Sequence, residues 1–128
     1  MTTTRINPAS MGGEPGAYSN GIKVEGASAT LYVAGQIGID AKGVAPADFT
    51  AQTEQAWNNV KAILAEAGMT LKDIVKTTIY LTDPADYAAF VKVRTAVLDG
   101  HKPASTLVYV PALVKPEWKV EIDVIAAR

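Results

Sequence analysis

The sequence predicts an α+β fold in which one sheet carries two helices on a single face. Three observations lead there. Residues 49–67 repeat apolar side chains at the spacing of an amphipathic helix. Residues 74–81 and 119–127 alternate with a period of two, as strands do. Strand-like and helix-like segments follow one another as ββαβαββ with no repeat, low-complexity tract or linker, so residues 1–128 read as one domain.

Residues 1–16, rich in Thr, Gly and Pro, read as an irregular N-terminal arm. Tyr18 to Glu25 alternates loosely and is taken as the first strand. Gly26 to Ala29 suits a turn after it, while Asn20-Gly21 carries a hairpin signal of its own. Thr30 to Ile37 (TLYVAGQI) is apolar on both faces and reads as a buried strand, followed by a loop over residues 38–47. The first helix places Phe49, Thr53, Ala56, Trp57, Val60, Ile63, Leu64 and Ala67 on one stripe. Asp48 or Thr50 can cap its start, and Gly68 suits a left-handed end. Ile74 to Leu81 is a strand with Val75, Thr77, Ile79 and Leu81 on one side. Asp83-Pro84 opens the second helix, whose face is marked by Tyr87, Phe90, Val91, Arg94, Val97 and Leu98. Ser105 to Val110 and Lys119 to Ala127 are the last strands. In the final one Val120, Ile122, Val124 and Ala126 face one way, Glu121 and Asp123 the other.

Two helices cover only one face of such a sheet. With Leu31 to Ile37 apolar on both sides, the open face is expected to be apolar and to meet further copies of the chain. Lys and Arg number 12 against 13 Asp and Glu, a net charge of −1, and the basic residues are scattered, so no nucleic-acid partner is expected. The absence of cysteine excludes disulfides, thiolate nucleophiles and Cys-held metals, and no cluster has metal-ligand spacing. The N-terminus shows no basic patch followed by an apolar stretch, and no apolar run approaches the about 18 residues of a membrane span. A cytoplasmic location without a membrane partner is the expectation. Gly12-Gly13-Glu14-Pro15-Gly16 lacks the Gly-Lys-Ser/Thr ending of a phosphate loop. His101, the sole histidine, falls in a loop and reads as a surface residue.

Five segments, in order, resemble the Rid family (RidA/YjgF-like reactive-intermediate deaminases). Gly16-Ala17-Tyr18-Ser19-Asn20 resembles its G-P-Y-S-Q segment, with Ala17 for the proline. Leu31 to Ile37 resembles L-Y-x-S-G-Q-I. Gln52, Trp57 to Leu64, Ala67-Gly68 and Asp73 to Asp83 form the longest match. Pro103-Ala104-Ser105-Thr106 stands where the family has P-A-R-S, and Val120 to Ala126 resembles the closing V-E-I-E-x-I-A strand. The resemblance implies a chorismate-mutase-like domain. Three subunits would join their sheets into a central barrel, with small-molecule clefts between them. It implies hydrolysis of imines or enamines to a keto acid and ammonia, with no metal or organic cofactor.

By the same resemblance Tyr18 and Glu121 match the family's site tyrosine and glutamate, the latter helping to place the attacking water. Ala34 and Gly35 match the strand residues of the site, Ala34 replacing a serine. Ser105 replaces the arginine that grips a substrate carboxylate in a bidentate fork, and Leu107 takes a position that is often cysteine. Ser105 and Thr106 could donate hydrogen bonds to a ligand. A neutral hydroxyl cannot reproduce the fork, which is worth a few kcal/mol of binding, so either the substrate differs, or a cation arrives from elsewhere (Arg94, Arg128, Lys102 or Lys115, none of which the sequence places in the cleft), or deamination is lost. Three readings follow. The first is an imine or enamine deaminase of altered specificity, with Glu121 and Tyr18 catalytic and Ser105, Thr106, Ala34, Gly35 and Leu107 lining the pocket. The second is a non-catalytic trimer that binds a small metabolite, a carboxylate or imine. The weakest is a ribonuclease, given the net charge of −1 and the lone His101.

Overall fold

The computed structural model describes all residues, Met1–Arg128. The strands are β1 (Thr2–Ile6), β2 (Gly21–Glu25), β3 (Thr30–Ile37), β4 (Ile74–Leu81), β5 (Ala104–Tyr109) and β6 (Val120–Ala127). The helices are α1 (Phe49–Glu66) and α2 (Tyr87–Leu98). β3, β6, β4 and β5 form a four-stranded sheet in that spatial order. β4 and β5 are parallel, as a crossover through α2 requires, and the other pairs are antiparallel.

The amino-terminal arm is not irregular over its whole length, and the sheet is not the only one. Thr2–Ile6 pairs with β2 from Thr2 opposite Glu25 to Ile6 opposite Gly21, making a separate two-stranded ribbon. The run Thr-Thr-Thr-Arg-Ile suits extended backbone. All five residues are exposed, so no apolar alternation betrays the strand, and its partner lies far along the chain. β2 begins at Gly21; upstream of it Ser19 makes only a single parallel bridge to Ala104.

α1 starts where the pattern puts it. Asp48, not Thr50, is the cap, and its side chain accepts from Ala51 N at 2.9 Å. Phe49, Thr53, Ala56, Trp57, Val60 and Leu64 are buried, whereas Ala67 is exposed beyond the helix end. Gln52 is also buried. Its amide donates to the carbonyls of Pro46 and Glu117, each at 2.8 Å, and its carbonyl accepts from Lys119 N at 3.0 Å. One side chain thus ties the start of α1 to the approach of β6. Gly38 is needed beside it, because a Cβ there would lie 2.7 Å from the Gln52 carbonyl carbon.

Two local phase shifts rearrange the strand faces. In β4, Ile74 pairs with Ala126 and Lys76 with Ile125, so Val75 is an extra residue. The buried side is therefore Ile74, Thr77, Ile79 and Leu81; Val75 leaves it. In β3 the register shifts between Val33 and Gln36, placing a bulge at Ala34-Gly35. α2 is preceded by a 3-10 turn over Pro84–Asp86, with Asp83 accepting from Ala85 N at 2.9 Å. Its buried side is Phe90, Val93, Arg94 and Leu98, while Tyr87 is 45% exposed. The helix is turned so that Tyr87 and Val91 point to one flank rather than into the core.

The core joins α1, α2 and the inward residues of β3, β4 and β6, including Trp57, Val60, Leu64, Phe90, Ile79 and Ile122. The opposite face of the sheet is uncovered in one chain. It is mixed, not apolar: Tyr32, 75% exposed, Val108 and Ile125 alternate with Lys76, Thr78, Tyr80, Thr106, Glu121 and Asp123. No helix is long and apolar enough to cross a membrane.

Candidate functional site

The residues expected to form a site fall on the two faces of the sheet. On the helix side, at the β5 edge, lies a cavity of about 440 Å³. Ala17 and Tyr18 enter it from the segment before β2, Ser105 and Leu107 from β5, and Tyr87, Val91 and Arg94 from α2. A larger groove between α1 and α2, lined by Thr50, Glu54, Lys61 and Lys92 among others, holds none of the expected residues.

A hydrogen-bonded staple positions Tyr18. The neighbouring Ser19 is buried, its N–H donating to Pro103 O at 3.0 Å and its hydroxyl to Lys102 O at 2.6 Å. Arg5 Nε donates to Ser19 Oγ at 2.8 Å, and Arg5 and Lys102 each reach Glu14 at 2.7 Å. Hydrogen bonds from Lys102 and then Arg5, with their positive charges, hold the Glu14 carboxyl down at about 2. The strand β1, unrecognised in the sequence, therefore supplies an arginine that fixes the Tyr18 segment. Ser105 is placed by the parallel register of β4 and β5, which sets it opposite Thr77; Thr77 Oγ1 donates to Ser105 Oγ at 2.9 Å.

On the uncovered face a second group assembles. Glu121 pairs across the sheet with Ile37 on one side and Tyr80 on the other. Its carboxylate lies against Gly35, where a Cβ would come within 2.8 Å of its carboxyl carbon. Ala34 is exposed beside it, at the bulge. Tyr80 Oη donates to Asp123 at 3.4 Å. The Asp123 charge, then desolvation, then Glu121, push the Tyr80 hydroxyl above its ordinary value, so it stays protonated. Thr106 faces the same side and accepts from Lys76 Nζ at 2.6 Å.

Tyr18, Ser105 and Leu107 thus come together, as do Glu121, Gly35 and Ala34, but the two groups do not share a cavity within one chain. Tyr87, Val91 and Arg94 belong to the first group and Tyr80 to the second; the sequence offered Arg94 only as an arginine that could stand in for the missing one, without placing it, and the others were not expected there. For Arg94 the available signal was a lone cation on the apolar face of α2. His101 is half-buried rather than on the surface, its Nε2 lying 2.7 Å from Ile74 O. Alternating loop positions gave no sign of that contact.

Topology and cavity define an α+β protein with an open-faced mixed sheet, two backing helices and a small-molecule-sized cleft at the sheet edge. Residues 11–128 match the family model described as endoribonuclease L-PSP, and the chain belongs to that family, the Rid/YjgF family. It is 40% identical over 102 residues to the 2-iminobutanoate/2-iminopropanoate deaminase of Escherichia coli, covering 77% of this chain and 79% of the relative. Among solved structures it is similar to YyfB of Yersinia pestis, a Rid-family protein of unknown function. That likeness has a TM-score of 0.87 and 34% identity over the whole of both chains. It is also similar to E. coli TdcF with bound serine, with a TM-score of 0.74 and 34% identity over 88% of this chain and 89% of the other.

Proposed function

We propose that this chain is one subunit of a homotrimer, its sheets closed into a central barrel, whose clefts hydrolyse small imines or enamines without a cofactor. The observation that carries the reading is the division of the site. Tyr18 and Ser105 open on one face at the β5 edge, and Glu121 lies on the other. A second copy that lays its uncovered face against that edge completes a cleft from the two halves. Family membership and the deaminase relative support the reading, as does the TdcF structure, in which a related protein holds an amino acid.

In that cleft Glu121 accepts a proton from water as the oxygen attacks the C=N carbon. The proton passes to nitrogen to give the carbinolamine; the hydroxyl proton is then transferred to the amino group, again by way of Glu121, as the C–N bond breaks, so that the electron pair leaves on neutral ammonia and the carbonyl forms. One water is consumed and one ammonia released. Tyr18 hydrogen-bonds the substrate from the opposite wall. Lining by Ser105, Leu107 and, from the neighbouring copy, Ala34, Gly35 and Thr106 sets the specificity.

A non-catalytic trimer that binds a small metabolite is the second reading, favoured by the neutral Ser105 where the family's fork would stand. Ribonuclease activity, which the family model's description names, has the least support: 12 basic residues, scattered, stand against 13 acidic ones. A coupled assay decides. An amino-acid oxidase generates fresh imines and semicarbazide traps them. The protein should divert them faster than a denatured control, and Glu121→Ala should abolish the gain. No acceleration across a panel of amino acids would leave the binding reading.

A further inference from the structure

We propose that the cavity beneath the amino-terminal ribbon is a second binding site, separate from the cleft, for a phosphate or phosphate-monoester dianion. The cavity has a volume of about 240 Å³ and lies between the β1–β2 ribbon and one end of the main sheet. Alternation along β1 turns Thr3 and Arg5 to the same side, and both line it. Lys72 enters from the turn before β4, Val75 from the β4 bulge, and His101 and Lys102 from the segment after α2.

Charge sets this cavity apart. The 12 basic residues are scattered along a chain of net charge −1. Folding nevertheless brings Arg5, Lys72 and Lys102, far apart in sequence, to one hollow with the sole histidine. Two carboxylates stand near, and both are committed. Glu14 bridges Arg5 and Lys102 at 2.7 Å each, and the Asp73 carboxyl accepts from Thr70 N at 2.8 Å. The donors are not used up. Arg5 directs Nε to Ser19 and Nη2 to Glu14, which leaves Nη1 without a partner. Lys102 Nζ makes one contact where an ammonium has three donors. Lys72 Nζ takes part in no ion pair.

Free donors that converge from separate strands and loops suit a tetrahedral oxyanion, whose oxygens diverge, better than a flat carboxylate. A dianion also gains about twice the Coulomb attraction of a monoanion at the same distance. His101 adds a group matched to phosphate. Its Nε2 lies 2.7 Å from Ile74 O, and a carbonyl only accepts, so Nε2 carries the hydrogen. Nδ1 then accepts from a phosphate hydroxyl or, once protonated, donates to a phosphate oxygen. Ile22 and Val75 give apolar surface for the carbon part of a monoester. The volume is below the about 300–1,000 Å³ of drug-sized sites, which limits the ligand to an ion or a short monoester. Neither Tyr18 nor Ser105 lines this cavity, so the proposal does not depend on the deaminase reading.

Calorimetric titration of the full chain with inorganic phosphate, ethyl phosphate and acetate tests this, at about pH 8, above the second phosphate ionisation. Phosphate should bind saturably with a Kd of about 1 mM or tighter, and acetate about tenfold more weakly or worse. Lys72→Gln should weaken phosphate binding by about three- to tenfold, and Arg5→Gln by about tenfold or more. Lys92→Gln, in the groove between the helices, should leave it unchanged. Lys72 has no ion-pair partner to lose, so its variant should keep the wild-type melting temperature and carries the test even where Arg5→Gln fails to fold. Tighter binding of ethyl phosphate than of phosphate supports a monoester as the ligand, and the reverse supports the free ion. No saturable phosphate binding, acetate held as well as phosphate, or full affinity in Lys72→Gln would overturn the proposal. An equal loss in Lys92→Gln would do so too, since attraction would then follow overall charge. Imine turnover by Lys72→Gln should match the wild type, so that failure of the deaminase reading and failure of this site are told apart.

Discussion

The carboxylate of Glu121 occupies the space that a side chain at position 35 would need: a Cβ on Gly35 would lie within 2.8 Å of its carboxyl carbon. Gly35 follows Ala34 at the β3 bulge, and Glu121 lies beside it on β6. The absent side chain thus determines where the acid rests. What would have to move is the end of a flexible side chain rather than backbone. Gly35→Ala should therefore leave the melting temperature within a few degrees of wild type while lowering imine hydrolysis by about tenfold or more, because misplacing a base by even an ångström is expensive. Unchanged turnover in a well-folded Gly35→Ala protein would remove Glu121 from the mechanism.

The uncovered face is the proposed contact between copies, and Tyr32 is its most exposed large side chain, at 75%. Light scattering at micromolar concentration should report three subunits. Tyr32→Glu should yield a smaller species with native circular dichroism and little activity. A wild-type monomer would dispose of the trimer and of the shared cleft with it.

The core rests on α1 against β3 and β6. Leu64 is fully buried in that cluster. Leu64→Ala should cost about 2–5 kcal/mol, from lost burial plus the cavity left behind. Denaturant titration with the assembly state held constant measures it; a loss under about 1 kcal/mol would mean the site relaxes far more than close packing allows.

Glu14 joins Arg5 to Lys102 and holds its carboxyl near 2, against an ordinary value of 4.5. A depressed carboxyl stabilises the fold at pH above the ordinary value, and that stabilisation is lost as pH falls toward the folded value. The melting temperature of wild type should exceed that of Glu14→Gln at pH 6 by a small margin, since the pair is exposed to solvent. The margin should shrink between about pH 5 and pH 2. A difference that grew on acidification would contradict the assignment.

Much of the fold was legible residue by residue. α1 shows itself through five buried apolar positions at helical spacing (Phe49, Ala56, Trp57, Val60 and Leu64) and the Asp48 cap, and β6 through strict alternation from Val120 to Ala126. Such signals are local, because a helix turn or a pleat repeats within a few residues. The segments that carry the resemblance also name Tyr18, Ser105 and Glu121. Hidden from the sequence were β1, both bulges and the rotation of α2. A ladder between Thr2 and Glu25 depends on a partner 23 positions away. The extra residue at Val75 inverts the facing of one end of β4 without any change in composition.

The sequence by itself therefore determined both helices, the strands of the main sheet, the family and the missing arginine at Ser105. Tertiary structure alone decided that Tyr18 and Ser105 lie on the opposite face of the sheet from Glu121, and that Arg94 of α2 lines the same cavity as Tyr18 and Ser105. The reason is physical: side-chain direction in a sheet has a period of two, so the face a residue takes is set by its register with the neighbouring strands, here Ser105 opposite Thr77 and Glu121 opposite Tyr80, and no single segment shows that register. Arg94 follows the same logic on a helix. Its spacing marks a buried face, but the β5 edge and the Tyr18 segment stapled by Arg5 turn that burial into the wall of a cavity.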